Sequence, residues 1–315
     1  MKKALVTGVA GQDGTYLSEY LQKKDYSVVG VDKKMPLSNN VEAITNIDIT
    51  NTNSVFELVR KWKPDEIYCL AAYHKSSEDK IVDELETFKK SHDVNVLSVA
   101  NFLEAIRLWS KSTRLFYAAS SQMFGGPIKS WQDENSALNP NNIYGITKAA
   151  ATKLCHYYRN SNKVFASVGI LYAHESPLRT SNFVSKKIVE TAVAIKKGFR
   201  EQLVLGDIEA EADWGYAGDY VIAMHMVLQH SRPDDFIISS GVRHTVKDFV
   251  QVAFDCLGMD WRKFVVEDKN LCSRTPKVST VGDNRKIVST VGWKPTVGFN
   301  ELVKLMVESE LQKNE

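Results

Sequence analysis

Short β-rich apolar runs alternate with amphipathic helical stretches through the first half of the chain. Runs at residues 4–7, 27–31, 66–70 and 114–119 read as strands, and stretches 15–24, 54–61, 92–109 and 142–161 carry apolar residues at helical spacing. Such trading of strand for helix predicts a parallel sheet with crossover helices. After a further β-rich run at 164–171 the pattern changes: 183–198 reads as a helix, and short strands and loops follow it. The expected fold is therefore α/β, a Rossmann-type doubly wound parallel sheet with a smaller α/β substrate-binding lobe. Residues 1–173 would form the first domain, with 212–232 returning to it, and 174–211 with 233–315 would form the second. The apolar stripe at 220–228 has helical spacing and reads as core.

Composition narrows the partners. Of 315 residues, 43% are hydrophobic and 25% charged, which suits an ordinary globular chain with enough apolar material for a sizeable core. Forty Lys and Arg against 38 Asp and Glu leave a net charge of +2. No basic excess exists to hold nucleic acid or an anionic membrane, so neither is an expected partner. Thr7 and Gly8 interrupt the first apolar run, no stretch has the length of a membrane span, and a cytoplasmic location is the expectation. Cys69, Cys155, Cys256 and Cys272 show neither paired nor zinc-type spacing, so no disulfide and no metal is expected.

Between the first strand and the first helix lies Thr7-Gly8-Val9-Ala10-Gly11-Gln12-Asp13-Gly14. Without Cβ atoms such a loop can turn tightly and approach a pyrophosphate, whose charge meets the free N–H groups and positive end of the helix. Asp32, at the end of the second strand, would accept hydrogen bonds from an adenosine ribose and repel a 2′-phosphate, which favours NAD. Lys33 and Lys34 would instead attract that phosphate and admit NADP, or simply line a solvated turn. Asp48 and Ile49 suit an adenine-edge contact, although an Asp in a turn also serves as a cap.

Tyr144 and Lys148 stand four apart in a helical stretch and share one face. An ammonium beside a phenol favours phenolate, and a phenol so lowered can take a proton from a sugar hydroxyl as hydride leaves the same carbon. Ser120 and Ser121, at the end of the fourth strand, place a hydroxyl where it can bond the reacting oxygen.

With the glycine loop, Ser120, Tyr144 and Lys148, the chain resembles the extended short-chain dehydrogenases/reductases. Ala119-Ser120-Ser121-Gln122-Met123-Phe124-Gly125, Asn139-Pro140-Asn141-Asn142-Ile143-Tyr144-Gly145, His174-Glu175-Ser176-Pro177-Leu178-Arg179 and Asp213-Trp214-Gly215-Tyr216-Ala217 are similar to segments of the GDP-mannose 4,6-dehydratase family, as is Gly292-Trp293-Lys294-Pro295. The resemblance implies a nucleotide-sugar enzyme, either a 4,6-dehydratase (a lyase) or an oxidoreductase acting at C4. In it Tyr144 is the base at C4, Ser120 orients the C4 oxygen and Lys148 tunes Tyr144 and holds the nicotinamide ribose. It also implies cofactor contacts from Leu70, Ala71 and Ala72, substrate contacts from Glu175, Ser176, Lys187, Trp214 and Arg274, and assembly as a homodimer or homotetramer. His74 would lie near the nicotinamide by the same analogy, and His174 reads as a core or loop residue. Three positions depart from the family pattern. Gln122 stands where the family has Glu, and an amide has no basic form with which to remove a carbon-bound proton. Ala212 stands in place of an Arg that pairs with the diphosphate, and Lys277 in place of a Glu that binds the nucleotide ribose, although Lys277 could itself bind phosphate. A GDP-hexose is the first expectation for the substrate; CDP, UDP and dTDP sugars stay open. So do C4 reduction or epimerisation in place of dehydration, and a non-catalytic NAD-binding role.

Overall fold

The computed structural model describes residues 1–35, 41–45, 47–74, 83–126, 131–268, 271 and 280–313. Strand β1 (Lys3–Thr7) leads through the glycine loop into α1 (Gln12–Gln22), followed by β2 (Ser27–Val31), β3 (Glu42–Ile44), α2 (Thr52–Trp62) and β4 (Glu66–Cys69). Then come α3 (Glu84–His92), α4 (Ser98–Trp109), β5 (Arg114–Ser120), the short β6 (Trp131–Gln132), α5 (Ile143–Asn162) and β7 (Phe165–Leu171). The remainder holds β8 (Ala173–Glu175), α6 (Val184–Lys196), β9 (Leu203–Leu205), β10 (Glu211–Tyr216), α7 (Ala217–Gln229), β11 (Asp235–Ile238) and β12 (Arg243–Thr245). It closes with α8 (Val246–Cys256), β13 (Val265–Glu267), β14 (Val281–Gly282), α9 (Arg285–Val291) and α10 (Phe299–Gln312).

Seven parallel strands form the main sheet in the order β11-β7-β5-β4-β1-β2-β3. Because β1 pairs with both β2 and β4, chain progression reverses there, and the carboxyl ends of β1 and β4 open a crevice of the kind that takes ligands in such sheets. Both faces are covered. On one, Leu17, Leu21, Tyr220, Met224 and Val227 of α1 and α7 pack on Val6, Tyr68 and Phe116; on the other, Val55, Phe102, Ile106 and Cys155 of α2, α4 and α5 pack on Leu5, Ile67 and Leu115. A smaller lobe has its own core, in which Ile188, Val189, Phe249, Phe254, Leu302 and Met306 join α6, α8 and α10 beneath the β8-β10-β12 sheet.

Three differences from the sequence pattern have physical causes. The long helix expected at 92–109 begins at Glu84: Asp83 caps it by accepting from Glu86 N–H at 2.9 Å, and its first turns are too polar to show an apolar stripe. A π-helical turn, Asp93–Leu97, joins α3 to α4 and turns Asn95 inward. The stretch expected to return to the main sheet is also displaced. Strand β10 belongs to the smaller lobe, the return starts with α7, and β11, placed by its position in the second lobe, is the outer strand of the main sheet beside β7. Ile287, Val291 and Trp293 likewise pack on the first lobe, where the Trp293 indole N–H donates to Asp219 O at 2.9 Å. Cys69 and Cys155 are buried free thiols and Cys256 an exposed one, while Cys272 lies outside the described residues. Among the described residues no helix is long and apolar enough to cross a membrane.

Candidate active site

Strand β1 ends at Thr7, whose hydroxyl accepts from Leu70 and Ala71 N–H at 3.2 Å each and so ties the ends of β1 and β4 together. Gly8 then turns with φ of +75°, a conformation L side chains rarely adopt, and a Cβ there would stand 2.9 Å from Ala71 N. A Cβ on Gly14 would stand 2.3 Å from Gly8 O, so only glycine lets α1 begin this close to the loop. Gly11, the N-cap of α1, brings no side chain to the first-turn N–H groups, which leaves donors and the positive helix end for an anion. Asp32 braces this cradle, accepting from Ala10 N–H at 3.0 Å and Lys34 N–H at 3.1 Å; Lys33 and Lys34 are exposed. Ala72 is exposed just beyond Ala71. Asp48 caps its own turn: the backbone N–H and hydroxyl of Thr50 donate to it and hold its carboxyl below the usual range. Ile49 packs against the core, and its carbonyl accepts from Asn101. Gly8, Gly11, Gly14 and Asp32 thus fit the pyrophosphate and ribose of a dinucleotide.

Ser120 closes β5 with its hydroxyl accepting from Gln122 N–H at 3.2 Å, and Ser121 opens the 3₁₀ turn Ser121–Phe124. Asn142 caps α5, and a Cβ on Gly145 would meet Gln122 O at 2.4 Å, so this glycine draws the start of α5 against that turn. Tyr144 is thereby brought beside Gln122. One turn further in, Lys148 is 1% exposed; its ammonium donates to Ala118 O at 2.6 Å and lies 5.5 Å from the centre of the Tyr144 ring. Burial pushes Lys148 down to about 8. Burial also pushes the Tyr144 phenol up, with the Arg179 charge pulling the other way, so the lowering expected from Lys148 is not what this arrangement produces by itself. Asn95 supports the group from below: its amide exchanges hydrogen bonds with the Tyr73 backbone and donates to Thr147, the neighbour of Lys148.

The second lobe joins this site through α1. Gln12 donates to His174 O at 3.1 Å and accepts from the Ser176 hydroxyl at 2.7 Å. His174 faces acceptors at both nitrogens, Tyr172 O at 2.7 Å and Asp13 Oδ2 at 2.9 Å, so both must be protonated and the ring is an imidazolium paired with Asp13. Burial pushes His174 down, but the Asp13 charge and hydrogen bond outweigh it and hold the ring above its ordinary range. Burial likewise pushes Asp13 up, and His174 holds it below the usual carboxylate range. The pair's contribution to stability is bounded on both sides. That of His174 is complete below the unfolded value of about 6.5 and is lost as pH rises through the raised folded value; that of Asp13 is complete above about 3.9 and is lost as pH falls through the lowered one. His174→Gln is expected to cost about 3 kcal/mol near pH 6. In urea unfolding the gap from wild type should narrow as pH rises through the raised folded value of His174; a gap independent of pH would mean that the pair is not charged.

Glu175 is 3% exposed, accepting from the Ser185 hydroxyl at 2.6 Å and pairing with Arg179 at 3.1 Å, so it and the fully buried Ser176 hold the cleft wall rather than line it. Lys187 is half-buried in a cleft of about 500 Å³ along α6. Trp214, a substrate contact by the resemblance, is packed in the second core between Phe249 and Phe299. Arg274 and Lys277 lie outside the described residues. Sequence reasoning missed the contacts that join the lobes. The Arg179 guanidinium covers the Phe183 ring at 3.5 Å, Phe183 stacks on His74 at 5.6 Å, and His74 lies 4.3 Å from the Tyr144 ring centre.

The chain is similar to known proteins over nearly its whole length. The family model for GDP-mannose 4,6 dehydratase matches residues 5–306. GDP-mannose 4,6 dehydratase 1 of Arabidopsis thaliana is 37% identical over 99% of this chain and 90% of its own. Among solved structures, UDP-glucose 4-epimerase of Thermotoga maritima with UDP-glucose superposes with a TM-score of 0.86 at 21% identity, covering 99% of this chain and 100% of that one. The dTDP-glucose 4,6-dehydratase of Bacillus anthracis in complex with NAD gives 0.83 at 19% identity, covering 100% and 98%. The two structures share the fold, and the sequence match carries the assignment: the chain belongs to the GDP-mannose 4,6-dehydratase family.

Proposed function

We propose that the protein takes a hydride from C4 of a nucleoside-diphosphate hexose and returns one to the sugar, with Tyr144 as the acid and base at the C4 oxygen. The observation that carries this reading is the convergence of Ser120, Tyr144 and Lys148 beside the glycine loop. Tyr144 accepts the hydroxyl proton, Ser120 donates a hydrogen bond to the oxygen, and Lys148, charged below about 8, favours the phenolate and holds the nicotinamide ribose. When bound, the nicotinamide supplies the hydride acceptor and donor. Asp32 favours NAD over NADP. Leu70, Ala71 and Ala72 would border a bound nicotinamide, and Asp48 and Ile49 would stand toward its adenine. On the substrate side a GDP-hexose is the first candidate, with Lys187 toward its nucleotide. Residues 1–173 with α7 and β11 would act as the cofactor unit and the α6, α8 and α10 lobe as the substrate unit.

Dehydration needs a group that removes a carbon-bound proton, and Gln122 has no basic form. Mass spectrometry with NAD and a panel of GDP-, CDP-, UDP- and dTDP-hexoses, alongside their 4-keto-6-deoxy derivatives with NADH, tests the reading. Hydride exchange at C4 is the expected result for wild type. Gln122→Glu is expected to raise loss of one water by about tenfold or more; no rise in a variant that still binds the sugar nucleotide would separate this site from dehydration. Leu85 and Phe88 of α3 and Ile146 and Tyr157 of α5 are exposed on adjoining helices, which supports assembly of copies as a homodimer or homotetramer; sedimentation of the full chain distinguishes them. The free thiols suit the cytoplasm.

A further inference from the structure

Asp13 puts a carboxylate in the first turn of α1, the same turn whose N–H groups are open to a pyrophosphate. The chain therefore sets an anion of its own beside the place where a second anion must bind, and two like charges at one helix end oppose each other. Both Asp13 oxygens are turned to side chains. Oδ2 accepts from His174 Nε2 at 2.9 Å and Oδ1 from the Gln12 amide at 3.3 Å, while Gln12 is itself fastened to His174 O and the Ser176 hydroxyl of the second lobe. His174 is held on its other sides as well: Nδ1 donates to Tyr172 O at 2.7 Å, and Tyr220 of α7 stacks on the ring with centres 4.8 Å apart. The other charges that reach the pair are Arg179 and, across the cleft on α5, Lys148 with the Tyr144 phenol. Arg179 is balanced by Glu175 at 3.1 Å, which leaves His174 as the charge matched to Asp13.

We infer that His174 is a positioning residue for the dinucleotide: its proton cancels the Asp13 carboxylate and keeps it off the first-turn N–H groups, so that affinity at the glycine loop is linked to protonation of a residue in the second lobe. The inference rests on the dinucleotide reading of that loop. While His174 is charged, the pair is neutral as a whole and the positive end of α1 meets a diphosphate undiminished. A neutral imidazole has one N–H for two acceptors, so either Tyr172 O or the Asp13 carboxylate loses its donor. A released Asp13 is a short acceptor in a first turn, able to take the N–H groups of its own helix where the diphosphate would lie. The Asp13 charge holds His174 above its ordinary range against the pull of burial, and a diphosphate beside the pair adds negative charge of the same sign. Proton and dinucleotide then favour each other equally, and binding near the folded value of His174 takes up protons.

The test is calorimetric titration of NAD into the full chain at pH values on both sides of the His174 titration, which proton magnetic resonance of the imidazole locates. Wild type is expected to bind about tenfold more weakly on the alkaline side than on the acid side. Within the titration it is expected to take up more protons on binding than His174→Gln does, read from buffers of different ionisation heat. The Lys148 ammonium, at about 8, titrates in every variant, so differences between variants isolate His174. On the acid side His174→Gln is expected to bind about tenfold more weakly than wild type, and adding Asp13→Asn to it is expected to restore most of that loss. On the alkaline side Asp13→Asn alone is expected to bind about tenfold more tightly than wild type. A double variant no tighter than His174→Gln would overturn the inference and leave the pair a structural tie between the lobes; so would a wild type whose affinity and proton uptake follow pH as those of His174→Gln do. Both outcomes leave the dinucleotide reading standing, whereas a wild type that binds no NAD at any pH would sink that reading and this inference together.

Discussion

Replacing Tyr144 with phenylalanine is expected to slow C4 hydride transfer about a thousandfold, roughly 4 kcal/mol of barrier, while sugar-nucleotide binding stays within a few-fold. The ring would keep its packing on His74, so the lost quantity is the proton acceptor alone. The phenol is pushed above its ordinary range by burial, which means that no standing phenolate exists near neutral pH; the proton must leave as positive charge gathers around it. Lys148 supplies part of that charge and keeps it only below about 8, since burial has lowered it. Single-turnover measurement with C4-deuterated sugar nucleotide separates the chemical step from binding. Tyr144→Phe turning over at the wild-type rate would mean that another group takes the C4 hydroxyl proton.

The parts of this site that could be read along the chain are those set by local chemistry. The strand at 27–31 coincides with β2, and the glycine loop falls between β1 and α1, because apolar runs and glycine positions are written in adjacent residues. Tyr144 and Lys148 share a face because helical spacing alone puts them there. What depends on closure of the lobes was not visible. Arg179, Phe183 and His74 meet across more than one hundred positions of chain, and their contact depends on where β8 and α6 dock. The Asp13–His174 pair is of the same kind: each residue looked ordinary, and the charge on His174 follows only from two acceptors that tertiary packing brings to its ring. Strand β11 owes its place in the main sheet to the same kind of distant contact. Phe236, Ile237 and Ile238 make too short a run to announce a strand, and its place is decided by pairing with β7. The raised phenol of Tyr144 belongs here too, since spacing shows the lysine but not the loss of solvent around the ring.

Gly14→Val is the substitution expected to act most strongly on the cofactor. A Cβ at this position would stand 2.3 Å from Gly8 O and 2.5 Å from Val9 Cα, and both are backbone atoms that cannot swing aside. Relief requires either the loop or the first turn of α1 to move, and both carry the N–H groups available to a pyrophosphate. Overpacking of this kind costs about 1–3 kcal/mol. Charged to the bound state, that is roughly a 10- to 100-fold loss of dinucleotide affinity, with Tyr144 and Lys148 untouched. Gly126→Ala is the matched control, because a Cβ there meets nothing within 4 Å. Calorimetric titration of NAD into both variants gives the comparison. Equal affinities would mean that the dinucleotide does not lie on this loop, and the orienting role given to Asp32, which braces the same loop through Ala10, would fall with it.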